Sequence, residues 1–410
     1  MDSRYGSQDR GRIWVLLFIL LSLGVGSCMP PLSTANPITL HYQTGASPTV
    51  AISTPFITTE QIVTATPLAT TPPPKRPIYV VDPNDQNILS NIFMIDPDTH
   101  RMVWTIQTRL LPEAVLSPDG QRLYVADSYH TQVTRGVQID ALSIYDAHNG
   151  NLIADDTSIQ GRLLYKAWPL TRDSFMFLSD DGRQLFIEKY GDPDIHQLRL
   201  AKLNTATLKT MYEGLLPPCD HRIEVMSDQW ICYDNTTLFE INPQLKSGSE
   251  TTLLTAPGSP AVSVAFDAQT NRLYTIDSNQ TVTVVDIKEK TVVGAQRLEV
   301  SSGWQFGHDI VLARDGKRLY VSLNTNVNKD GIFIDAIAVY ETADWKLIAT
   351  ISLASPIYHF ALSAAGDQLY ATSPNDRSLA IYDTGSFQRI ALMRGLGGTP
   401  SLILVPLTAR

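Results

Sequence analysis

Beyond residue 77 the apolar positions fall into short runs separated by polar turns, a length and spacing that fit β-strands. One unit recurs: SPDGQRLYV from Ser117, SDDGRQLFI from Ser179, DAQTNRLYT from Asp267, ARDGKRLYV from Ala313 and SAAGDQLYA from Ser363. In each, an Asp-Gly or Asn-containing turn joins two alternating strands, a hairpin signal. Degenerate copies lie at IYVVD (78) and WICYD (230). The aromatic near the end of each copy falls at Tyr79, Tyr124, Phe186, Tyr233, Tyr274, Tyr320 and Tyr370. A second signature runs in phase: IFMIDPDT (92), LSIYDAHNG (142), LAKLNTAT (200), LFEINPQ (238), VTVVDIKEK (282), IAVYETAD (337) and LAIYDTGS (379). Repeats of this length with four strands each predict propeller blades, here seven. The copy at Ile78 lacks the inner strand that precedes the others, and TPSLILV, residues 399–405, matches SPAVSVA at 259–265. The expected fold is therefore all-β, a seven-bladed β-propeller over 78–410 whose first blade is completed by the C-terminal strand.

The first 77 residues follow a different pattern. Arg4, Arg10 and Arg12 precede an apolar run from Ile13 to Leu21 that continues to Cys28. The stretch falls short of the roughly 20 residues a membrane span needs, so residues 1–27 read as an export signal rather than an anchor. Residues 28–77 carry only Glu60, Lys75 and Arg76 as full charges among many Pro and Thr, which predicts a disordered stalk.

Composition narrows the partners. The chain has 410 residues, 43% of them hydrophobic, enough to bury a large core. A net charge of −9 removes the attraction to phosphate backbones that nucleic-acid binding needs, so no nucleic-acid partner is expected. Of the 3 cysteines, Cys219 and Cys232 flank a hairpin, and in an oxidising compartment they form either one bridge or two buried thiols.

Two resemblances follow from these residues. Val25-Gly26-Ser27-Cys28 resembles a bacterial lipobox, with Val where Leu is usual; this implies that Cys28 is lipidated and that the chain is extracytoplasmic, held to the cell membrane by its acyl chains. The PDG turn, the LYV strand and the V-x-V-Y-D strand resemble the YVTN-type propeller repeat, kin to WD40-like propellers. That resemblance fixes fold and leaves function open, since such propellers include binding proteins, surface-layer proteins, lactonases and the heavy subunits of amine dehydrogenases.

Strand order then locates a site. With strands a to d counted outward from the channel, the long connections at Asp82–Asn91, Asp127–Asp140, Glu188–Gln197 and Asn324–Asp335 are b–c loops, on the face where inner strands begin. Four residues before each SPDG-type Ser lie Glu113, Ser263, Asp309 and His359, with His308 adjacent and His221 near the start of blade four. This polar set at the channel mouth is the candidate binding site, with Trp304 as a stacking candidate. A carboxylate beside an imidazole can move protons or hold a metal, but no ligand spacing supports a metal. Asp82 to Asn87 offers oxygen ligands without the Gly and distal Glu of a calcium loop. No C-x-x-C-H, G-x-S-x-G or phosphate-binding Gly loop occurs, so no cofactor and no catalytic residue is assigned. The expectation is a binding or scaffold module for a protein or small ligand. A lactonase-like hydrolase, an oxidoreductase propeller subunit and a structural envelope protein are the alternatives.

Overall fold

In a computed structural model, residues 74–83, 89–130, 138–156, 176–179, 181–192, 197–215, 221–226, 229–234, 237–241, 251–255, 261–325 and 333–406 are described. All belong to the compact unit Gln61–Arg410. The signal segment, Cys28, nearly all of the stalk, Cys219 and most of the Asp82–Asn87 loop lie outside the described residues.

Strands β1 (Ile78–Asp82), β2 (Ser90–Asp96) and β3 (Arg101–Thr108) open the chain. A second set is β4 (Leu110–Leu116), β5 (Arg122–His130), β6 (Gln138–Asp146) and β7 (Leu152–Asp156). A third is β8 (Met176–Leu178), β9 (Gln184–Asp192), β10 (Gln197–Asn204) and β11 (Thr210–Leu215). The fourth is β12 (His221–Met226), β13 (Gln229–Asp234), β14 (Thr237–Ile241) and β15 (Thr251–Thr255). The fifth is β16 (Ala261–Asp267), β17 (Arg272–Asp277), β18 (Thr281–Asp286) and β19 (Thr291–Arg297). The sixth is β20 (Trp304–Leu312), β21 (Arg318–Thr325), β22 (Ile334–Glu341) and β23 (Leu347–Ile357). The seventh is β24 (His359–Leu362), β25 (Gln368–Ser373), β26 (Ser378–Asp383) and β27 (Arg389–Arg394), after which comes β28 (Leu402–Leu404).

Among the described residues these strands form seven four-stranded sheets, six in chain order and the first ordered β28-β1-β2-β3. The pairs are antiparallel, and β28 joins β1 through Tyr79↔Leu404, Val80↔Ile403 and Val81↔Leu402.

Side-chain alternation explains why the second strands are almost wholly apolar. Tyr79 and Val81 pack into a core shared with the second sheet, through Leu123 and Val125. Ile78 and Val80 face the other way, into a core shared with Tyr370 and Ile381 of the seventh sheet. Each strand thus supplies two interfaces, as a period of two demands when both faces are covered. Similar cores join the second and third, fourth and fifth, fifth and sixth, and sixth and seventh sheets. Sheets that pack side by side, with the last returning to the first, make a β-propeller.

The turns are held alike. Gly120 adopts φ 70°, which its lack of a Cβ permits, and its N–H reaches Ser117 O at 2.8 Å. Thr205, Thr342 and Thr384 each donate a hydroxyl to a turn carbonyl, of Gly182, Gly316 and Gly366, at 2.6 to 2.8 Å.

Three details differ from the sequence reading. In the fourth sheet Ile231 pairs with Glu240 as Tyr79 pairs with Met94, so Ile231 rather than Tyr233 holds the repeat's aromatic place. Two of the expected b–c loops are largely ladder, because backbone pairing continues through their polar residues: β5 and β6 pair out to His130↔Gln138, and β9 and β10 to Asp192↔Gln197. The C-terminal strand spans Leu402–Leu404, shorter than 399–405, because Gly398 and Thr399 are engaged by a side chain instead.

That side chain is Asp82. Fully buried, it accepts hydrogen bonds from Gly398 N at 2.9 Å and from Thr399 N at 2.6 Å. A Cβ on Gly397 would overlap this carboxylate. On the other side of the closure, Arg76 bridges Asp98 of the first sheet and Asp367 of the seventh. The Arg76 bridge is half exposed, so Arg76→Ala is expected to cost at most about 1 kcal/mol, an effect that thermal melts should show fading at high salt.

Candidate functional site

Register converts the polar residues of the inner strands into one level of the ring. Glu113 pairs with Ala126, Ser263 with Ile276 and His359 with Thr372, and each partner lies two residues after its sheet's aromatic. Once Ile231 is taken as the reference in the fourth sheet, His221↔Tyr233 is the same position. Asp309 follows suit: its N–H reaches Ser322 Oγ at 2.9 Å, and Ser322 lies two beyond Tyr320. In the first sheet the position is held by Leu402, opposite Val81. The inner strands of five sheets thus bring Glu113, His221, Ser263, Asp309 and His359 to equivalent positions.

The strands are irregular at this level. Register slips between Leu110 and Glu113 in β4, between Ala261 and Ser263 in β16, and between Phe306 and Ile310 in β20. Bulges re-aim side chains and interrupt pairing, and they concentrate beside sites. The bulge in β20 sets Gly307, His308 and Asp309 opposite Ser322 alone. It requires glycine, because a Cβ on Gly307 would sit 2.5 Å from Ser322 Oγ and 2.9 Å from Asn324 Oδ1. Within the bulge His308 is exposed, while Asp309 and His359 are half buried and Ser263 is buried. Trp304 begins β20, half buried against the core between the fifth and sixth sheets, so its ring contributes to packing.

Carboxylates outside the candidate binding set hold the connections at this rim. Asp82 grips Gly398 and Thr399. Asp127 accepts Arg109 N at 2.9 Å and its guanidinium at 3.0 Å, and the other guanidinium nitrogen meets Asp155 at 2.9 Å. Ser143 Oγ completes the group by donating to Asp155 at 2.8 Å. Burial raises the Asp127 carboxyl above its ordinary range, and Arg109 pulls it partly back. Burial also opposes the Arg109 charge, but the Asp155 and Asp127 carboxylates outweigh it and raise the guanidinium. Nearby Tyr145 is pushed up to about 12, by burial first and by Asp127 second. The signal was legible in the repeat: an Asp follows three residues after the reference position at 82, 127, 234 and 277. Asp82 is thereby engaged in the closure, and the rest of the Asp82–Asn87 loop lies mostly outside the described residues. Among the described residues no three His, Cys, Asp or Glu side chains converge as a metal cage.

Cys232 is buried and disulfide-bonded, and its partner lies outside the described residues.

Comparison with known proteins adds a lineage. Residues 74–239 match the family model for methylamine dehydrogenase heavy chain (MADH). The chain is 24% identical over 350 residues to a protein of Methylorubrum extorquens, covering 80% of this chain and 82% of the relative. That relative is a methylamine dehydrogenase heavy chain. Solved structures share the fold. A functionally unknown protein of Desulfotomaculum acetoxidans aligns over 80% of this chain and 98% of its own, with TM-score 0.54 and 12% identity. A protein described as a 6-phosphogluconolactonase of Bacteroides fragilis gives the same coverage, with TM-score 0.50 and 10% identity. The chain is therefore a propeller protein related to methylamine dehydrogenase heavy chain.

Proposed function

We propose that this chain is an exported, lipid-anchored seven-bladed propeller of YVTN-like repeats that binds a partner through the ring of inner-strand positions Glu113, His221, Ser263, Asp309 and His359, with His308 beside them. Each four-stranded sheet is taken as one blade, and the lipid on Cys28 and the stalk of residues 28–77 hold the ring outside the membrane. Val25-Gly26-Ser27-Cys28 supports the anchor. The disulfide-bonded state of Cys232, for which Cys219 is the expected partner, supports an oxidising, extracytoplasmic compartment. The observation that carries the binding role is the coincidence of register. Five polar residues, scattered over almost 250 positions of sequence, occupy one level of the inner strands. Rigid strands fix such groups better than loops do, which suits recognition.

A second reading is favoured by the match over four-fifths of both chains to methylamine dehydrogenase heavy chain. In that reading the partner is a protein chain bearing a redox group, and the propeller is the scaffold of an oxidoreductase complex.

One experiment addresses both readings. Full-length protein is isolated with its companions, and partner retention is compared with the Glu113→Gln/Asp309→Asn/His359→Gln variant. Substitution of the ring is expected to weaken retention at least about tenfold, since each lost charged contact costs roughly 1 kcal/mol or more. A companion with the absorbance of a redox group selects the second reading. Undiminished retention by a folded variant contradicts the proposed surface.

A further inference from the structure

On the opposite side of the sheets, the turn between third and fourth strands places a residue of positive φ four positions after its opening acid or amide: Leu208, Trp345 and Phe387 among them. These residues fill the interface with the preceding sheet. Phe387 lies 5.6 Å below the Arg318 guanidinium of the sixth sheet, and that guanidinium also donates to Thr384 O at 2.8 Å. Trp345 packs edge-on to Tyr274 of the fifth sheet, with ring centres 6.2 Å apart.

Between the second and third sheets the same three places are held by Arg122, Thr205 and Leu208, and the joint is incompletely filled. Leucine replaces the aromatic ring, and among the described residues the Arg122 guanidinium makes no hydrogen bond or ion pair, its charge being felt by Asp119. A cleft of about 360 Å³ results, bounded by Arg122, Ile144, Ile153, Ala154, Asp155 and Leu208. Asp155 is already spent on Arg109 and Ser143, so the charge available to an occupant is the positive one of Arg122.

The outer strands of these two sheets expose more large apolar side chains than the other outer strands described. Among the described residues, β3, β19, β23 and β27 each expose one large apolar side chain: Met102, Val293, Ile348 and Ile390. In contrast β7 and β11 expose two each, Leu152 with Ile153 and Met211 with Tyr212. Concentrated exposed apolar side chains beside a cleft mark an interaction surface.

We propose that this cleft is the docking site of a partner polypeptide that inserts a Phe- or Tyr-like side chain beside Leu208 and offers Arg122 a carboxylate or carbonyl oxygen. The occupant would supply from outside what Phe387 and Thr384 supply to Arg318 from within, a ring under a guanidinium and an oxygen acceptor. Ile153 lines the cleft, and Leu152, Met211 and Tyr212 add exposed apolar surface on the same two outer strands, which suits a polypeptide rather than a small molecule.

The test is selection of displayed random peptides on the full-length protein, with every enriched peptide measured again on the Leu208→Phe and Arg122→Gln variants. Phenylalanine is tolerated at the equivalent place, Phe387, so the first variant fills the cleft in an already proven geometry. Enriched peptides are expected to carry an aromatic residue close to an acidic one. Their affinity should fall at least about tenfold on Leu208→Phe and at least about fivefold on Arg122→Gln, with melting temperature unchanged or higher. Absence of enrichment, or peptides that bind Leu208→Phe as well as the parent, overturns the proposal. So does a concentration-dependent dimer that Leu208→Phe abolishes, because the face would then serve a second copy of the chain.

Discussion

Deletion of residues 401–410 is expected to lower the melting temperature by on the order of 10 °C, measured by calorimetry on the otherwise intact chain. The deletion removes β28, hence three ladder pairs and the burial of Ile403 with its neighbours Leu402 and Leu404. At roughly 1.5–3 kcal/mol for a fully buried aliphatic side chain, and less for the half-buried ones, the loss comes to about 5 kcal/mol. It also leaves β1, apolar from Ile78 to Val81, as an exposed edge, so the deletion should promote aggregation on heating. Gly397→Ala attacks the same closure without shortening the chain. Its Cβ would overlap the Asp82 carboxylate, and the backbone at φ 70° disfavours any side chain. A cost of about 2 kcal/mol is expected, and an unchanged melting temperature in both variants would contradict closure through β28.

Arg109→Met is expected to cost about 3–5 kcal/mol at pH 8 and distinctly less at pH 5, as read from denaturant unfolding. The substitution keeps the apolar stem and the backbone N–H but removes the guanidinium from Asp127, which is almost completely buried and whose carboxyl already lies above its ordinary range. The direction follows from linkage. A folded carboxyl with a raised pKa keeps its proton where the unfolded chain has released it. Stability therefore falls as pH rises from the unfolded value through the folded one. Removing Arg109 raises Asp127 further and widens that window, so the variant should lose more stability at high pH than the parent. A penalty independent of pH would show that Arg109 acts through packing alone.

The fold was legible in the sequence because the repeats carry it locally. A turn of fixed chemistry, a strand apolar on both faces and a second turn opening on an acid recur with enough fidelity to fix strand order and the first-sheet role of the C-terminal strand. What local pattern conceals is the length of pairing. The ladder from Asp127 to His130 carries polar residues and reads as a loop, yet its backbone continues to pair. Likewise Tyr233 looked like the repeat aromatic, and only pairing with β14 shows that Ile231 takes that place.

The candidate ring was half visible. Counting from the turn serine found Glu113, Ser263, Asp309 and His359, because inner strands keep a constant distance from their hairpins. Bulges were not visible, since a slip in β20 leaves no mark on the sequence except a glycine, Gly307, between an aromatic and a histidine. The rim carboxylates were missed for a different reason. Their recurrence three residues after the reference position is visible in the repeat, but Asp82 grips residues more than 300 positions away, and no local pattern names that partner.

The binding claim is tested most directly by native mass spectrometry of the full-length chain extracted from its host with its companions. The parent is expected to carry a companion in fixed stoichiometry, and the folded Glu113→Gln/Asp309→Asn/His359→Gln variant is expected to have lost it. A companion held equally by both proteins, or none held by the parent, would contradict the account.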